Sequence, residues 1–359
     1  MRSLTPIRWG ILGTGWVAQR FMADLRAVDG TRPVALASRS ADRAQTVAAT
    51  FGISRFHSSY EGLFSDSEVD VIYIATEHHE HAKHCASALR AGKAILCEKP
   101  FATTFSEAQE VVALAREKRL FCMEAMWSRF LPGTLDMKRR IDSGAIGTPS
   151  LICADFGYPV AETEAATRFF DPHRGGGALL DRGVYAIALA TWLFGRPSSI
   201  LAKSDTHPLG TDRSISVILQ FADNQMAVLL ATLGALTSNQ ATVSGNRGRI
   251  TLAEPFYRPE KVIVTQARTA DGTPSVDIRP GTARELIRQA IAKAKPYLPL
   301  KLQRTGIHRY SVNGYGYGYE AAEVVRCIRE GLLESPLMPA TDTLLVMETL
   351  DRIRQQLSK

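Results

Sequence analysis

The residues best placed to do chemistry begin with Ala94-Ile95-Leu96-Cys97-Glu98-Lys99-Pro100. A short apolar run delivers a carboxylate and an amine side by side, and the proline then bars the strand from continuing. In an open α/β sheet, chemistry gathers beyond the carboxyl ends of parallel strands, so Lys99 is expected at a strand tip facing a cleft. Alone, the same tripeptide reads equally as a solvated charged pair at a turn. A second cluster, Gly13-Thr14-Gly15-Trp16-Val17-Ala18, has the spacing G-x-G-x-x-A between a strand and a helical pattern. Its first glycine makes a tight turn, and its second lets the backbone approach a pyrophosphate. Its small last position lets helix and strand pack closely. A third cluster, Thr76-Glu77-His78-His79-Glu80-His81-Ala82-Lys83-His84-Cys85, invites a metal reading. No matching ligand cluster occurs elsewhere and Lys83 would oppose a cation, so no metal is assigned. These residues are read as opening a helix beside a cofactor.

The elements that must position these groups follow from the apolar pattern. Strands are expected at 7–12, 33–37, 69–75, 94–98 and 120–126, within a six-stranded, doubly wound parallel sheet alternating with helices. A helix over 106–118 is expected to be capped by Ser106-Glu107. The second strand ends in Ser38-Arg39-Ser40, with Arg43 close behind. An NAD enzyme usually carries an acid about 20 residues past the glycines. A guanidinium instead favours a 2′-phosphate, so NADP is expected, with NAD the alternative. Trp127-Ser128-Arg129-Phe130 falls at another strand end. Beyond residue 149 a helix is expected to open near 175 and run to 195. Strands follow at 199–203, 215–221, 226–233, 241–245, 248–252 and 262–264, a largely antiparallel open sheet. Helices over 319–333 and 341–356 close the chain. The division is a Rossmann domain at 1–126 and a substrate-binding and oligomerisation α/β domain at 127–359, whose last helix can pack back on the first.

Hydrophobic content of 45% and charged content of 22% describe an ordinary globular protein. No apolar run approaches the roughly 18 residues of a membrane span. The five cysteines are scattered without C-x-x-C, so a reduced, cytoplasmic protein is expected. The net charge of +7 would suggest nucleic acid were it not local. Seven basic residues and one acid lie between Arg284 and Arg309, which leaves the rest of the chain nearly neutral and argues against a nucleic-acid partner.

With G-x-G-x-x-A, E-K-P and G-G-A-L-L-D-x-G-x-Y (residues 176–185) in this order, the chain resembles the Gfo/Idh/MocA oxidoreductases. Within them it resembles the branch of dimeric dihydrodiol dehydrogenases and NADP-dependent D-xylose 1-dehydrogenases. The stretches 123–130, 155–157, 243–245 and 319–321 carry the same likeness, which lapses only over about 274–312. The resemblance implies a Rossmann domain followed by an α/β domain whose open sheet forms a homodimer or homotetramer interface. It implies Lys99 and Tyr185 at the nicotinamide, with Asp181 one helical turn before Tyr185 on the same face. Trp127, Phe156 and Tyr257 match positions that line the substrate pocket, and Arg129 belongs to the same stretch as Trp127. His78 and His81 match positions near the cofactor, in company with Gly13, Thr14, Gly15, Trp16, Val17, Ser38, Arg39, Arg43, Thr76 and Glu98.

The expected reaction moves a hydride between nicotinamide and a carbinol carbon of an aldose, a cyclic polyol or a trans-dihydrodiol. A keto-sugar or nucleotide-linked sugar reductase is the alternative, and a non-catalytic cofactor sensor the rival of another class. A free phenol, with pKa about 10, is a poor base; a neighbouring Lys99 ammonium and the positive nicotinamide ring are expected to stabilise the phenolate and bring Tyr185 closer to working range. Asp181 would orient substrate. The basic segment 284–309 has apolar residues at helical spacing from Leu286 to Leu298. It is expected to be an added helix that packs on the body, covers the site as a lid, or lies on an anionic membrane. The alternating glycines of Asn313-Gly314-Tyr315-Gly316-Tyr317-Gly318-Tyr319 suggest a bendable loop.

Overall fold

Unbroken aliphatic runs, the mark of strands buried on both faces, build the first sheet. The computed structural model describes residues 5–267 and 303–357. Its first six strands are β1 (Ile7–Leu12), β2 (Thr31–Ala37), β3 (Arg55–His57), β4 (Val71–Ile74), β5 (Ala94–Glu98) and β6 (Cys122–Ala125). All pair in parallel in the order β3-β2-β1-β4-β5-β6. The chain leaves β1 toward one edge and returns at β4 toward the other, so the switch point that opens a crevice lies between them. Helices α1 (Trp16–Leu25), α2 (Ala41–Thr50), α3 (Tyr60–Phe64), α4 (His81–Arg90) and α5 (Phe105–Lys118) make the crossovers. Strand β3 escapes the apolar pattern because its three residues are exposed or half-buried. The cap of α5 is Thr104, not Ser106: Thr104 Oγ1 accepts from Glu107 N while the Glu107 carboxylate accepts from Thr104 N, a reciprocal box.

The second sheet runs β14-β13-β12-β11-β7-β10-β9-β8. Its strands are β7 (Pro149–Gly157), β8 (Ser199–Thr206), β9 (Asp212–Gln220), β10 (Met226–Thr232), β11 (Ala241–Gly245), β12 (Gly248–Leu252), β13 (Lys261–Ala267) and β14 (Gln303–Arg309). Only β7 with β10 is parallel; the other ladders are antiparallel. Two strands correct the sequence expectation. Strand β7 is central, yet its outward Cys153 and Asp155 interrupt the apolar pattern. Strand β14 occupies part of the segment read as an inserted helix: Thr305, Ile307 and Arg309 are exposed with period two, and Ile307 pairs with Ile263. The helical pattern from Leu286 to Leu298 lies outside the described residues.

Helices α6 (Pro132–Asp142) and α7 (Val184–Phe194) cover one face of this sheet, and α8 (Gly318–Arg329) and α9 (Ala340–Leu357) end the fold. The span Pro172–Phe194 is long and apolar enough to cross a membrane, but most of it is buried in the protein as a core helix. Helix α9 joins the two sheets' layers: Asp351 accepts from Phe105 N at 2.8 Å, and Arg352 donates to Pro197 O at 2.8 Å. Among the described residues the other sheet face is open, with Leu201, Ile218, Met226 and Val228 exposed.

Candidate active site

A cleft of about 1090 Å³ opens at the β1–β4 switch point, above the roughly 300–1,000 Å³ that holds a drug-sized ligand. Gly13 carries φ +109° at its floor, where a Cβ would lie 2.5 Å from Ala75 O, so only glycine lets β1 turn there. Nothing lies within 4 Å of where a Cβ on Gly15 would stand. The backbone amides at the start of α1 therefore face open space, an anion cradle at a helix N-terminus. Thr14, Trp16, Val17, Ser38, Arg39 and Arg43 line the same cleft, as do Thr76, His78, His81, Glu98 and Lys99. Thus the donor set fits a dinucleotide: a pyrophosphate at the glycine turn and hydroxyl and guanidinium groups at the end of β2.

The histidines of the third cluster are held by main-chain groups. His78 Nδ1 lies 2.9 Å from Gly175 O, and His81 Nδ1 lies 2.8 Å from Pro100 O. Burial, with Lys99 nearby, drives His78 down to about 3, and burial drives His81 down to about 4, so both are neutral. Their work is to brace the loops around Lys99.

Strand β5 ends at Glu98, which is buried and accepts a hydrogen bond from Tyr73 Oη. Lys99 then crosses to the second layer: its Nζ donates to Asp181 O at 2.8 Å and lies 4.8 Å from the centre of the Tyr185 ring. Asp181 and Tyr185 reach the cleft from a π-helical turn, Leu179–Gly183, that runs into α7. Asp212 anchors that turn by accepting from Leu179 N at 2.5 Å. Burial works against ionising Asp181, but the charges around it, Lys99 foremost and then Arg168 and Arg182, together outweigh burial and hold the carboxyl below its ordinary value.

Tyr185 departs from expectation. Burial first, then Tyr317 and Glu98, raise its phenol well above the usual range. Lys99 lies over the ring face and donates its hydrogen bond to the Asp181 carbonyl rather than to the phenol oxygen, and in the free protein burial prevails. The hydroxyl instead accepts from Trp127 Nε1 at 2.9 Å.

Trp127, Phe156 and Tyr257 form an aromatic cluster around Tyr185 rather than the open wall of the cleft. Phe156 stacks on Tyr257 at 4.4 Å, and the Tyr185 ring lies 5.5 Å from Phe156 and 5.7 Å from Tyr257. Arg129 is the misplaced candidate: it pairs with Asp342 of α9 and stacks on Trp192 at 4.5 Å, away from the cleft. Its buried guanidinium needs that partner, and α9 supplies it. Among the cleft-lining residues that sequence reasoning did not pick are Tyr317, Arg168 and Arg174. Arg174 pairs with Glu77 through contacts of 2.7 and 2.5 Å. Nothing in a single sequence pairs positions 97 residues apart.

A glycine turn at the switch point of one sheet, with an amine and a phenol converging from two layers above it, is the working arrangement of a nicotinamide-dependent oxidoreductase. Residues 7–126 match the oxidoreductase family with an NAD-binding Rossmann fold, and residues 134–251 match the Gfo/Idh/MocA C-terminal domain. A relative named trans-1,2-dihydrobenzene-1,2-diol dehydrogenase, from Xenopus tropicalis, is 34% identical over 98% of both chains. Two solved structures share the fold. A levoglucosan dehydrogenase in complex with NADH and levoglucosan superposes with TM-score 0.81 at 21% identity, over 99% of this chain and 98% of that one. A 3-ketoreductase from Actinomadura kijaniata with NADP gives 0.80 at 23%, over 98% of both. The chain belongs to the Gfo/Idh/MocA family of oxidoreductases and is an enzyme that uses a nicotinamide cofactor.

Proposed function

We propose that the protein interconverts a ring CH–OH and its carbonyl, acting on a sugar or a trans-dihydrodiol with NADP. The observation that carries this reading is the convergence of Lys99 and Tyr185 on one wall of the dinucleotide cleft. When bound, the nicotinamide takes the hydride from the carbinol carbon or returns it. Tyr185 Oη holds the proton exchanged with the substrate oxygen, and Trp127 Nε1, donating to Tyr185 Oη, fixes the phenol's position. Lys99, tied to the Asp181 carbonyl, offers its remaining protons to the substrate oxygen. The Asp181 carboxylate, kept ionised, accepts from a neighbouring substrate hydroxyl. The rings of Tyr185 and Tyr317, which line the cleft, suit the flat face of a cyclic substrate, in keeping with the dihydrodiol and levoglucosan acted on or bound by the relatives.

A second reading, carbonyl reduction as the favoured direction, is supported by the raised phenol. A group that stays protonated at neutral pH is ready to donate, whereas oxidation must first remove that proton. Ser38, Arg39 and Arg43, with no acid at the end of β2, support NADP over NAD. The open sheet face supports a homodimer or homotetramer built through it, and five free cysteines, four of them buried, support a cytoplasmic setting.

The test follows reduced-cofactor absorbance across aldoses, inositols and cyclic diols, in both directions, for the wild type and Tyr185→Phe. Expected is turnover of at least one class by the wild type. In the variant kcat falls about 10²–10⁴-fold while cofactor affinity holds within about twofold. Unchanged kcat would remove Tyr185 from the proton-transfer role, and no turnover of any carbinol or carbonyl would overturn the reading.

A further inference from the structure

The tyrosine-glycine run before α8 is a built device. Trp16, Arg20 and Asp24 stand at i, i+4 and i+8 on α1, the helix whose N-terminus opens on the cleft, and so share one face. Arg20 lies between two rings, 4.6 Å from the centre of Trp16 and 4.8 Å from that of Tyr315. Asp24 is nearly sequestered from solvent and takes three hydrogen bonds, from Tyr315 N at 2.9 and 3.0 Å and from Tyr317 N at 2.9 Å. Gly314 and Gly316, at φ +58° and +104°, let the backbone curl so that both amides point at one carboxylate. A Cβ on Gly314 would run into that carboxylate. Arg258 holds the loop from its other side, donating to Gly314 O at 2.9 Å.

The curl sends alternate tyrosines opposite ways. Tyr315 goes outward to Arg20, and Tyr317 goes inward, where it lines the cleft with Glu98, Lys99 and Tyr185. The Tyr317 ring lies 5.0 Å from that of Trp127, whose Nε1 donates to Tyr185 Oη. A continuous chain of contacts therefore leads from the cofactor helix through Asp24, Tyr317 and Trp127 to the reactive hydroxyl.

We propose that Asp24 is a positioning residue that locks the Tyr317 loop to α1, so that binding a dinucleotide at the helix N-terminus also orders the wall that aims Tyr185. Its effect on turnover rests on the reaction proposed above; the coupling itself does not.

Hydrogen–deuterium exchange of the peptide covering residues 313–318, with and without NADP, reads the coupling directly. In the wild type the cofactor is expected to slow this exchange about fivefold or more, and in Asp24→Ala to leave it unchanged. Kinetics then read the consequence. Asp24→Ala is expected to lower kcat about tenfold or more with cofactor Kd within about threefold. Asp24→Asn, whose Oδ1 still accepts from the amides, should recover most of kcat. Should Asp24→Ala fail to fold, Gly316→Ala replaces it: its Cβ would stand 3.0 Å from Trp127 Cζ3 at an unfavourable φ, displacing Tyr317 with the carboxylate intact. Equal loop exchange with and without cofactor in the wild type would overturn the proposal, as would equal kcat losses in Asp24→Asn and Asp24→Ala. A wild type that protects the loop yet turns over no carbinol or carbonyl would instead defeat the assigned reaction and leave the coupling standing.

Discussion

Tyr185 Oη and Lys99 Nζ show how far one residue can be understood from its type. That Lys99 sits at a strand end beside a cleft follows from the apolar run and the proline that stops it. That its ammonium is spent on the Asp181 carbonyl does not, because Asp181 is 82 residues away. Glu124, buried at the end of the first sheet, was equally silent in the sequence. Its Oε1 accepts from Phe101 N at 3.1 Å, bracing the loop after Pro100, and burial lifts its carboxyl from 4.5 to about 7. A raised folded-state value means that protonation favours folding. The contribution is complete below pH 4.5 and is lost as the pH rises through 7. Over that window the wild type should lose about 3 kcal/mol of stability on this account, and Glu124→Gln should not. Urea unfolding of both proteins at pH 5 and pH 8 checks it: the variant must gain on the wild type as pH rises, and a constant gap would show that Glu124 does not titrate there.

The glycine turn, the strand ends and the histidine-rich helix start were legible because each is a local pattern: a period, a cap, a breaker. What was illegible depended on partners brought from elsewhere. The run from Asn313 to Tyr319 reads as bendable on composition, since alternating glycines cost the unfolded chain nothing. Asp24, nearly 300 residues earlier, turns the same glycines into a fixed curl. Strand β14 was hidden in the same way, because a basic segment with helical spacing overlaps a short alternating edge. At the end of β2 the local reading yields a sharper expectation. Arg39 stands exposed at the cleft rim, and the Glu77 carboxylate, whose charge it helps to stabilise, is paired with Arg174. Arg39→Ala is expected to weaken NADP binding about tenfold, on the order of one charged hydrogen-bonded contact, with NAD affinity nearly unchanged. Titration of both cofactors checks this, and equal losses for the two would mean that Arg39 does not read the phosphate.

The two sheets differ in what they ask of the chain. The first is parallel and covered on both faces, so its strands, short β3 excepted, are apolar runs and its doubly wound parallel character was readable. Among the described residues, the second carries helices on one face only. Its other face alternates, yet leaves Leu201, Ile218, Met226 and Val228 in solvent, with Leu201 65% exposed. A broad sheet with aliphatic side chains in water is what the proposed association through this face requires. Ile218 and Val228 face each other across the β9–β10 ladder, so the double variant Ile218→Asp, Val228→Asp places two charges in the middle of the patch. Light scattering should then report a monomer where the wild type is a dimer or larger; an unchanged mass would move the interface elsewhere. The proposed reaction requires one convergence, that of the E-K-P amine with the α7 phenol at the reacting carbon. A crystal structure with NADP and a turned-over alcohol bears on it at once. The substrate oxygen is predicted within about 2.6–3.2 Å of both Tyr185 Oη and Lys99 Nζ. An oxygen held instead by Arg168 or Arg174 at the rim, with Tyr185 out of reach, would contradict it.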